Sequence, residues 1–252
     1  MSTWLFDLGN SRLKFAAPGD GSVGGIHHVD HDGSRFADGW EQQLPPRFDT
    51  AWIASVGAPG LTTALVDGLC SRCRRVSFVR TQRSFGGVRI AYADPARLGV
   101  DRFLALLAAH ARASGPSLVV GVGTALTIDL LDADGVHRGG RIAPSPTLMR
   151  DSLHARAPQL PARGGSYAAF ADETASALAS GCEGAALALI AQSMQAATAM
   201  LGTTPRVLLH GGGAPALLPA SGDAIIAPAL VLEGLALWAR ALDPADGHRT
   251  HG

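Results

Sequence analysis

Residues 4–16 read Trp4-Leu5-Phe6-Asp7-Leu8-Gly9-Asn10-Ser11-Arg12-Leu13-Lys14-Phe15-Ala16. Two short apolar runs flank a polar Gly-Asn-Ser turn, which predicts two strands joined by a tight hairpin. If the turn is the pair Asn10-Ser11, Asp7 and Lys14 face each other across the ladder. Glycine lets the chain turn sharply and present backbone N–H groups to an anion. Asn10 and Ser11 add hydrogen-bond donors, Asp7 suits a hard cation such as Mg2+, and Lys14 can meet a phosphate as a point charge. The plain alternative is an ordinary hairpin with an Asp–Lys cross-strand pair worth a few tenths of a kcal/mol up to ~1.

Beyond the hairpin, residues 18–25 are glycine-rich and predict a loop. Strands are expected over 51–55 and 76–79, with a helix over 59–69 between them. Residues 81–98 read as irregular, and apolar positions at helical spacing predict a helix over 103–113. After Gly115-Pro116 the opening pattern returns: a strand over 118–121, a Gly123-Thr124 turn, a strand over 126–131, a turn at Ala133-Asp134-Gly135 and a strand over 136–142. Helices over 146–157, 172–200 and 230–241, a strand over 206–209 and the run Gly211-Gly212-Gly213 complete the reading. Each half thus opens with strand, glycine-containing polar turn, strand. This argues for two similar α/β lobes, residues 1–115 and 116–252, with a polar tail from Asp243.

Composition limits the function classes. A 47% hydrophobic share in 252 residues supplies a sizeable core and excludes an intrinsically disordered chain. Twenty-one basic residues balance 21 acidic ones, so the basic excess of a nucleic-acid binder is missing. All the basic residues except Lys14 are arginine, which draws attention to the phosphate-like turn. No basic stretch precedes an apolar run at the start, so no secretory signal is expected. The apolar stretch 184–201 is interrupted by Gln192, Ser193 and Gln195, and 228–242 carries Glu233 and Arg240. Neither reads as a membrane span. Cys70, Cys73 and Cys182 cannot all pair within one chain, which fits a soluble cytoplasmic protein with free thiols.

Three further segments carry possible chemistry. Gly121-Val122-Gly123-Thr124-Ala125-Leu126-Thr127-Ile128-Asp129 places a glycine and a hydroxyl between two strands. It reads alone as a plain hairpin, but a pair of such turns can grip a polyphosphate from two sides. In Tyr92-Ala93-Asp94-Pro95-Ala96-Arg97-Leu98-Gly99-Val100-Asp101-Arg102, Asp101 is either a first-turn acid on the helix dipole or a carboxylate accepting a hydroxyl proton beside an anion-binding arginine. Leu208-Leu209-His210-Gly211-Gly212-Gly213-Ala214 leads a strand into glycines against which a flat adenine can lie. Cys70-x-x-Cys73 lacks a second pair for zinc. His27-His28-x-x-His31 reads as a surface turn, the Arg72, Arg74 and Arg75 cluster as a solvated face, and the Ala-rich helix around 175–200 as core or subunit contact.

Taken in order, these segments resemble the type III pantothenate kinases, members of the actin, hexokinase and acetate-kinase superfamily with two ribonuclease-H-like lobes and an ATP cleft between them. The resemblance runs from about residue 4 to 240. Asp7 to Lys14 is similar to the family's first phosphate motif, Asp-x-Gly-Asn-Ser/Thr-x-x-Lys. Tyr92, Pro95 and Gly99 to Arg102 resemble Tyr-x-x-Pro-x-x-Leu-Gly-x-Asp-Arg. Gly123-Thr124-Ala125 with Thr127 and Asp129 resembles the second phosphate motif, followed by Gly139-Gly140-x-Ile142. Thr174 matches a substrate-contacting threonine, Gly211-Gly212 the adenosine motif, and residues 230–235 the closing Leu-x-x-Glu-Gly-Leu.

The resemblance implies ATP-dependent phosphorylation of the pantothenate hydroxyl, the first step of coenzyme A biosynthesis. Asp101 would be the base, while Tyr92, Gly99, Val100, Asp101, Arg102 and Thr174 would bind pantothenate. Asp7 would position Mg2+. Asp7, Leu8, Gly9, Asn10, Ser11, Arg12, Leu13, Lys14, Gly123, Thr124, Gly211 and Gly212 would bind ATP. The family is dimeric, so a homodimer is implied. It usually carries an acid at the place of Gly121 that helps to bind K+ or NH4+, a glycine at the place of Ser145, and a threonine at that of His210. Relatives described as accessory factors for gene regulation keep open a nucleotide-binding regulator without kinase activity.

Overall fold

The computed structural model describes residues 2–19, 23–112, 115–217 and 223–242. The chain forms two compact units, one made of residues 1–112 with 229–252 and the other of 113–228.

In the first unit the opening hairpin is β1 (Thr3–Leu8) and β2 (Arg12–Ala16). Pairing of Asp7 with Lys14 and Leu8 with Leu13 puts the turn at Asn10-Ser11, and the Gly9 N–H closes it on the Arg12 carbonyl at 3.0 Å. Strand β3 (His27–Asp30) adds to β2, and β4 (Phe48–Ser55) and β5 (Cys73–Phe78) run parallel to β1. The sheet order is β3-β2-β1-β4-β5. Alternating Phe6, Leu8, Leu13, Phe15 and Phe48 feed one core with Leu61, Leu65 and Leu69 of helix α1 (Pro59–Cys70). Those three leucines recur every four residues, the spacing of one helix face, and Pro59 starts the helix where its missing N–H costs nothing. The expected histidine turn is in fact a strand, β3, followed by a bend. The irregular stretch 81–98 contains a two-residue-strand hairpin, β6 (Ser84–Phe85) and β7 (Val88–Arg89), turned by Gly86 and Gly87 with φ of 55° and 83°.

Helix α2 (Val100–Arg112) follows, with Phe103, Leu104, Ala105 and Leu106 fully buried. Against it lies the closing helix, named α6 below (Leu230–Leu242). The sequence expectation placed 230–241 in the second lobe; the structure groups it with the first unit. Two features account for this. A Cβ at Gly234 would run into the Leu104 backbone carbonyl, so glycine lets the helix backbones touch. Glu233 also takes two hydrogen bonds from the Arg112 guanidinium, at 2.6 and 2.7 Å.

The second unit repeats the plan with β8 (Ser117–Val122), β9 (Ala125–Leu131), β10 (His137–Pro144), β11 (Arg206–His210) and β12 (Ile225–Ile226), in the order β10-β9-β8-β11-β12. The first three strands are antiparallel, and β11 and β12 run parallel to β8, as in the first sheet. Helices α3 (Pro146–Arg156), α4 (Thr174–Leu201) and the short α5 (Ala214–Leu217) complete it. Ser145 caps α3, accepting the Leu148 N–H at 3.2 Å. By length and composition α4 is the one helix among the described residues long and apolar enough to cross a membrane. In the fold it packs on β8 and β9 through Ala186, Ile190 and Ala197.

Candidate active site

In the first unit the parallel strands β1 and β4 end side by side, the Val56 N–H donating to the Leu8 carbonyl at 3.0 Å. Ligands in such sheets gather beyond the carboxyl ends of the strands. The turn residues Asn10 and Ser11 are exposed there, and Lys14 is half-buried opposite Asp7. Leu8 and Leu13 are wholly buried, so only their backbone is available to a ligand. The Arg12 side chain is drawn aside to Asp30 at 2.6 Å, an exposed pair on neighbouring strands. That hydrogen bond holds the Asp30 carboxyl below its ordinary range.

Asp101 stands in the first turn of α2. Its Oδ1 accepts the Arg102 N–H at 2.8 Å. A Cβ at Gly99 would sit 2.6 Å from the same oxygen and 3.9 Å from Val56, which explains a glycine before this acid and sets Asp101 beside the end of β4. Asp101 is also close enough to act on Asp7. Burial pushes the Asp7 carboxyl up to about 7, the Asp101 charge adds to that rise, and Lys14 opposes it. Two carboxylates that disfavour each other's charge are a natural seat for a divalent cation or a proton.

Arg102 is 6% exposed. Its guanidinium carbon lies 5.8 Å from the Tyr92 ring centroid, and Nη1 donates to the Tyr92 hydroxyl at 3.4 Å. The loop bearing Tyr92 is fixed by Asp94, which accepts the Ala96 N–H at 3.0 Å, and by the Thr81 hydroxyl on the Leu98 carbonyl at 2.8 Å. Tyr92, Gly99, Val100, Asp101 and Arg102 therefore form one assembly in the unit that also holds Asp7 to Lys14.

The second unit brings two other predicted segments together. Gly123 and Thr124 turn β8 into β9 and are exposed. The glycine run leaves β11 beside them, the Gly213 N–H donating to the Val122 carbonyl at 3.0 Å. Gly211 has φ 91°, and a Cβ there would strike the Val122 backbone, so both conformation and space demand glycine. Gly212 has open space around it. Thr174 is exposed at the start of α4, where Glu173 caps the helix. Asp129 is not at the turn: it is buried with His137, Oδ1 to Nε2 2.9 Å, inside the second unit.

The sequence reading missed His31. Its Nε2 lies 3.1 Å from the Gly9 carbonyl of the phosphate-like turn, a contact between residues 22 apart that no local pattern announces.

A family model described as type III pantothenate kinase matches residues 4–196. The type III pantothenate kinases of Stenotrophomonas maltophilia (strain K279a) and Xanthomonas campestris pv. campestris (strain B100) are 59% and 56% identical, over 242 and 239 residues, covering 95% of this chain and 98% of each relative. Among solved structures, a conserved Campylobacter jejuni protein assigned to the Baf family of transcriptional activators superposes with a TM-score of 0.63 at 20% identity, covering 94% of this chain and 98% of that one. A ROK family glucokinase from Streptomyces griseus, in complex with glucose and AMPPNP, gives 0.52 at 10% identity, covering 96% and 100%. At such identities the two structures share the fold: mixed α/β, with two sheets flanked by helices. The family match spans most of the sequence and the close relatives align along nearly their whole length, so the chain belongs to the type III pantothenate kinase family.

Proposed function

We propose that the protein transfers the γ-phosphoryl group of ATP to the pantothenate hydroxyl, giving 4'-phosphopantothenate, the first step of coenzyme A biosynthesis. The observation that carries this reading is the assembly of Asp101, Arg102 and Tyr92 beside Asp7, in a chain of this family. Phosphoryl transfer passes through a loose transition state, so catalysis rests on positioning and charge neutralisation more than on a strong base. In-line alignment of the hydroxyl and the phosphoryl group supplies roughly 7–11 kcal/mol.

Asp101 accepts the hydroxyl proton as the oxygen attacks phosphorus and the bond to ADP breaks. Arg102, held against Tyr92, receives the pantothenate carboxylate, with Gly99 and Val100 as further substrate contacts; the same role for Thr174, in the second unit, rests on the family resemblance alone. In the first unit the Asn10-Ser11 turn and Lys14 are the phosphate contacts for ATP; in the second unit, taken by itself, Gly123 and Thr124 are phosphate contacts and Gly211 and Gly212 offer a flat surface to adenine.

Mg2+ fits the residues present. Among the described residues no three His, Cys, Asp or Glu side chains cluster as a metal cage, and Mg2+ needs none, since it binds through one or two carboxylates plus substrate phosphates. Asp7 would be the ligand: burial and the Asp101 charge raise its proton affinity beyond what Lys14 offsets, and a divalent cation would relieve that excess. When bound, the ion neutralises charge on the transferring phosphoryl group. K+ or NH4+ does not fit at Gly121. A Cβ there would lie 2.7 Å from the Thr127 hydroxyl and 2.9 Å from His210 Nε2, so these two side chains fill the place of the family's acid.

A homodimer is part of the same proposal. Only 22% of the most apolar stretch of α4 is buried within the chain, and Ile142, Leu148, Leu153, Tyr167 and Phe170 are exposed in the same unit. A second copy would cover this apolar surface. The unpaired thiols Cys70, Cys73 and Cys182 accord with a cytoplasmic setting.

The test is ADP release from Mg-ATP, with and without pantothenate. Pantothenate-dependent release is expected. ATP binding without release would point instead to a nucleotide-binding regulator.

A further inference from the structure

We infer that His31 is a positioning residue of the ATP-phosphate turn, an inference that rests on the reading of Asp7 to Lys14 given above. A two-residue hairpin loop normally takes a type I′ or II′ turn, whose twist matches the flanking strands and which needs positive φ. The Gly86-Gly87 turn has that geometry. The Asn10-Ser11 turn does not, since among the described residues no non-glycine residue has positive φ. Its conformation therefore lacks the twist-matched geometry of a primed turn, and contacts from outside the hairpin bear on it.

His31 supplies such contacts. Its backbone N–H donates to the Ser11 carbonyl at 3.4 Å. The ring contacts the Gly9 carbonyl through Nε2 at 3.1 Å, and Nδ1 accepts the Gly33 N–H at 3.2 Å. An Nδ1 that accepts is unprotonated, so the proton is on Nε2 and is donated to Gly9. In a trans peptide the C=O and the following N–H point in opposite directions. Capture of the Gly9 carbonyl by the imidazole thus turns the Asn10 N–H away from the ring, on the outward side of an exposed turn. The ring is itself fixed. Phe36 meets it edge-on at 5.8 Å. The Asp32 carboxylate organises the bend between them, accepting the Ser34 N–H, the Ser34 hydroxyl and the Arg35 N–H at 2.8, 2.7 and 2.9 Å.

The test uses full-length protein with His31→Ala, His31→Gln and, as control, Lys14→Ala. His31→Ala is expected to raise KM for ATP about tenfold, the usual scale for a supporting residue, with KM for pantothenate unchanged. His31→Gln, whose amide can donate to the same carbonyl, is expected to recover most of that loss. Nitrogen-15 spectra of the wild-type imidazole are expected to show the proton on Nε2. An unchanged KM for ATP in folded His31→Ala, equal losses for both substrates, or a proton on Nδ1 would each overturn the assignment. If His31→Ala does not fold, the glutamine variant and the spectra decide. Lys14→Ala separates the two levels. ATP loss there without loss in His31→Ala removes only the role of His31, whereas no ATP loss in Lys14→Ala removes the phosphate-turn reading beneath it.

Discussion

Asp7 and Asp101 stand 94 positions apart in sequence yet act on one another. Added to the effect of burial, the Asp101 charge helps to lift the Asp7 carboxyl to about 7, against the pull of Lys14. The folded chain therefore keeps the Asp7 proton to near neutrality, whereas the unfolded chain releases it near 3.8. Between these values the folded state binds more protons, so this group's contribution to stability falls as pH rises. In ligand-free protein, the Tm difference between Asp7→Asn and wild type is expected to grow in favour of the variant from about pH 4 to about pH 7 and then level off. A difference that stays flat across that window would contradict the coupling.

Asp101→Asn tests the base and the coupling together. Loss of the proton acceptor is expected to lower kcat by about 10²–10⁴-fold while ATP still binds. Removal of the charge is also expected to lower the pH at which Asp7 titrates, read by carboxyl NMR. Near-normal turnover with pantothenate would show that Asp101 is not the base.

Lys14→Ala is expected to weaken ATP more than pantothenate. Separate KM measurements for the two substrates check this, and equal losses would argue that Lys14 acts through the fold of the hairpin instead.

Activity is expected to differ by less than about twofold between K+, NH4+ and Na+ buffers of equal ionic strength, since Thr127 and His210 occupy the space beside Gly121. Activation by K+ of tenfold or more would show that the cation is held by other groups.

Gly234→Ala places a methyl group against the Leu104 carbonyl at the α2–α6 contact. Overpacking of this kind costs about 1–3 kcal/mol. Urea unfolding is expected to show a lower midpoint, and an unchanged midpoint would mean that the helices separate at no expense.

Much of this was legible in residues 4–16 and 117–131, because an apolar strand, a glycine turn and a second apolar strand make a local pattern, and the pattern occurs twice. The grouping of Tyr92, Asp101 and Arg102 comes from the resemblance to the Tyr-x-x-Pro-x-x-Leu-Gly-x-Asp-Arg signature, since the residues alone leave Asp101 open between a first-turn acid and a base. What the sequence could not show are contacts between distant segments. The closing Leu-x-x-Glu-Gly-Leu segment marks Glu233 and Gly234, but nothing in it names Arg112 and Leu104 as the residues that stand opposite them. The two-residue strands around Gly86 and Gly87 are too short to display a period. His31 sits beyond a glycine-rich stretch, and a histidine in a polar bend carries no mark of the carbonyl it will meet.

The return of α6 to the first unit has a consequence for biogenesis. A ribosome releases β1 to α2 early, but the segment that covers α2 emerges only after the whole second unit has been made. The amino-terminal half must wait, with the apolar flank of α2 uncovered, while the inserted half can complete itself first. Chains ended before residue 230 would keep that flank exposed, as a target for chaperones and proteases.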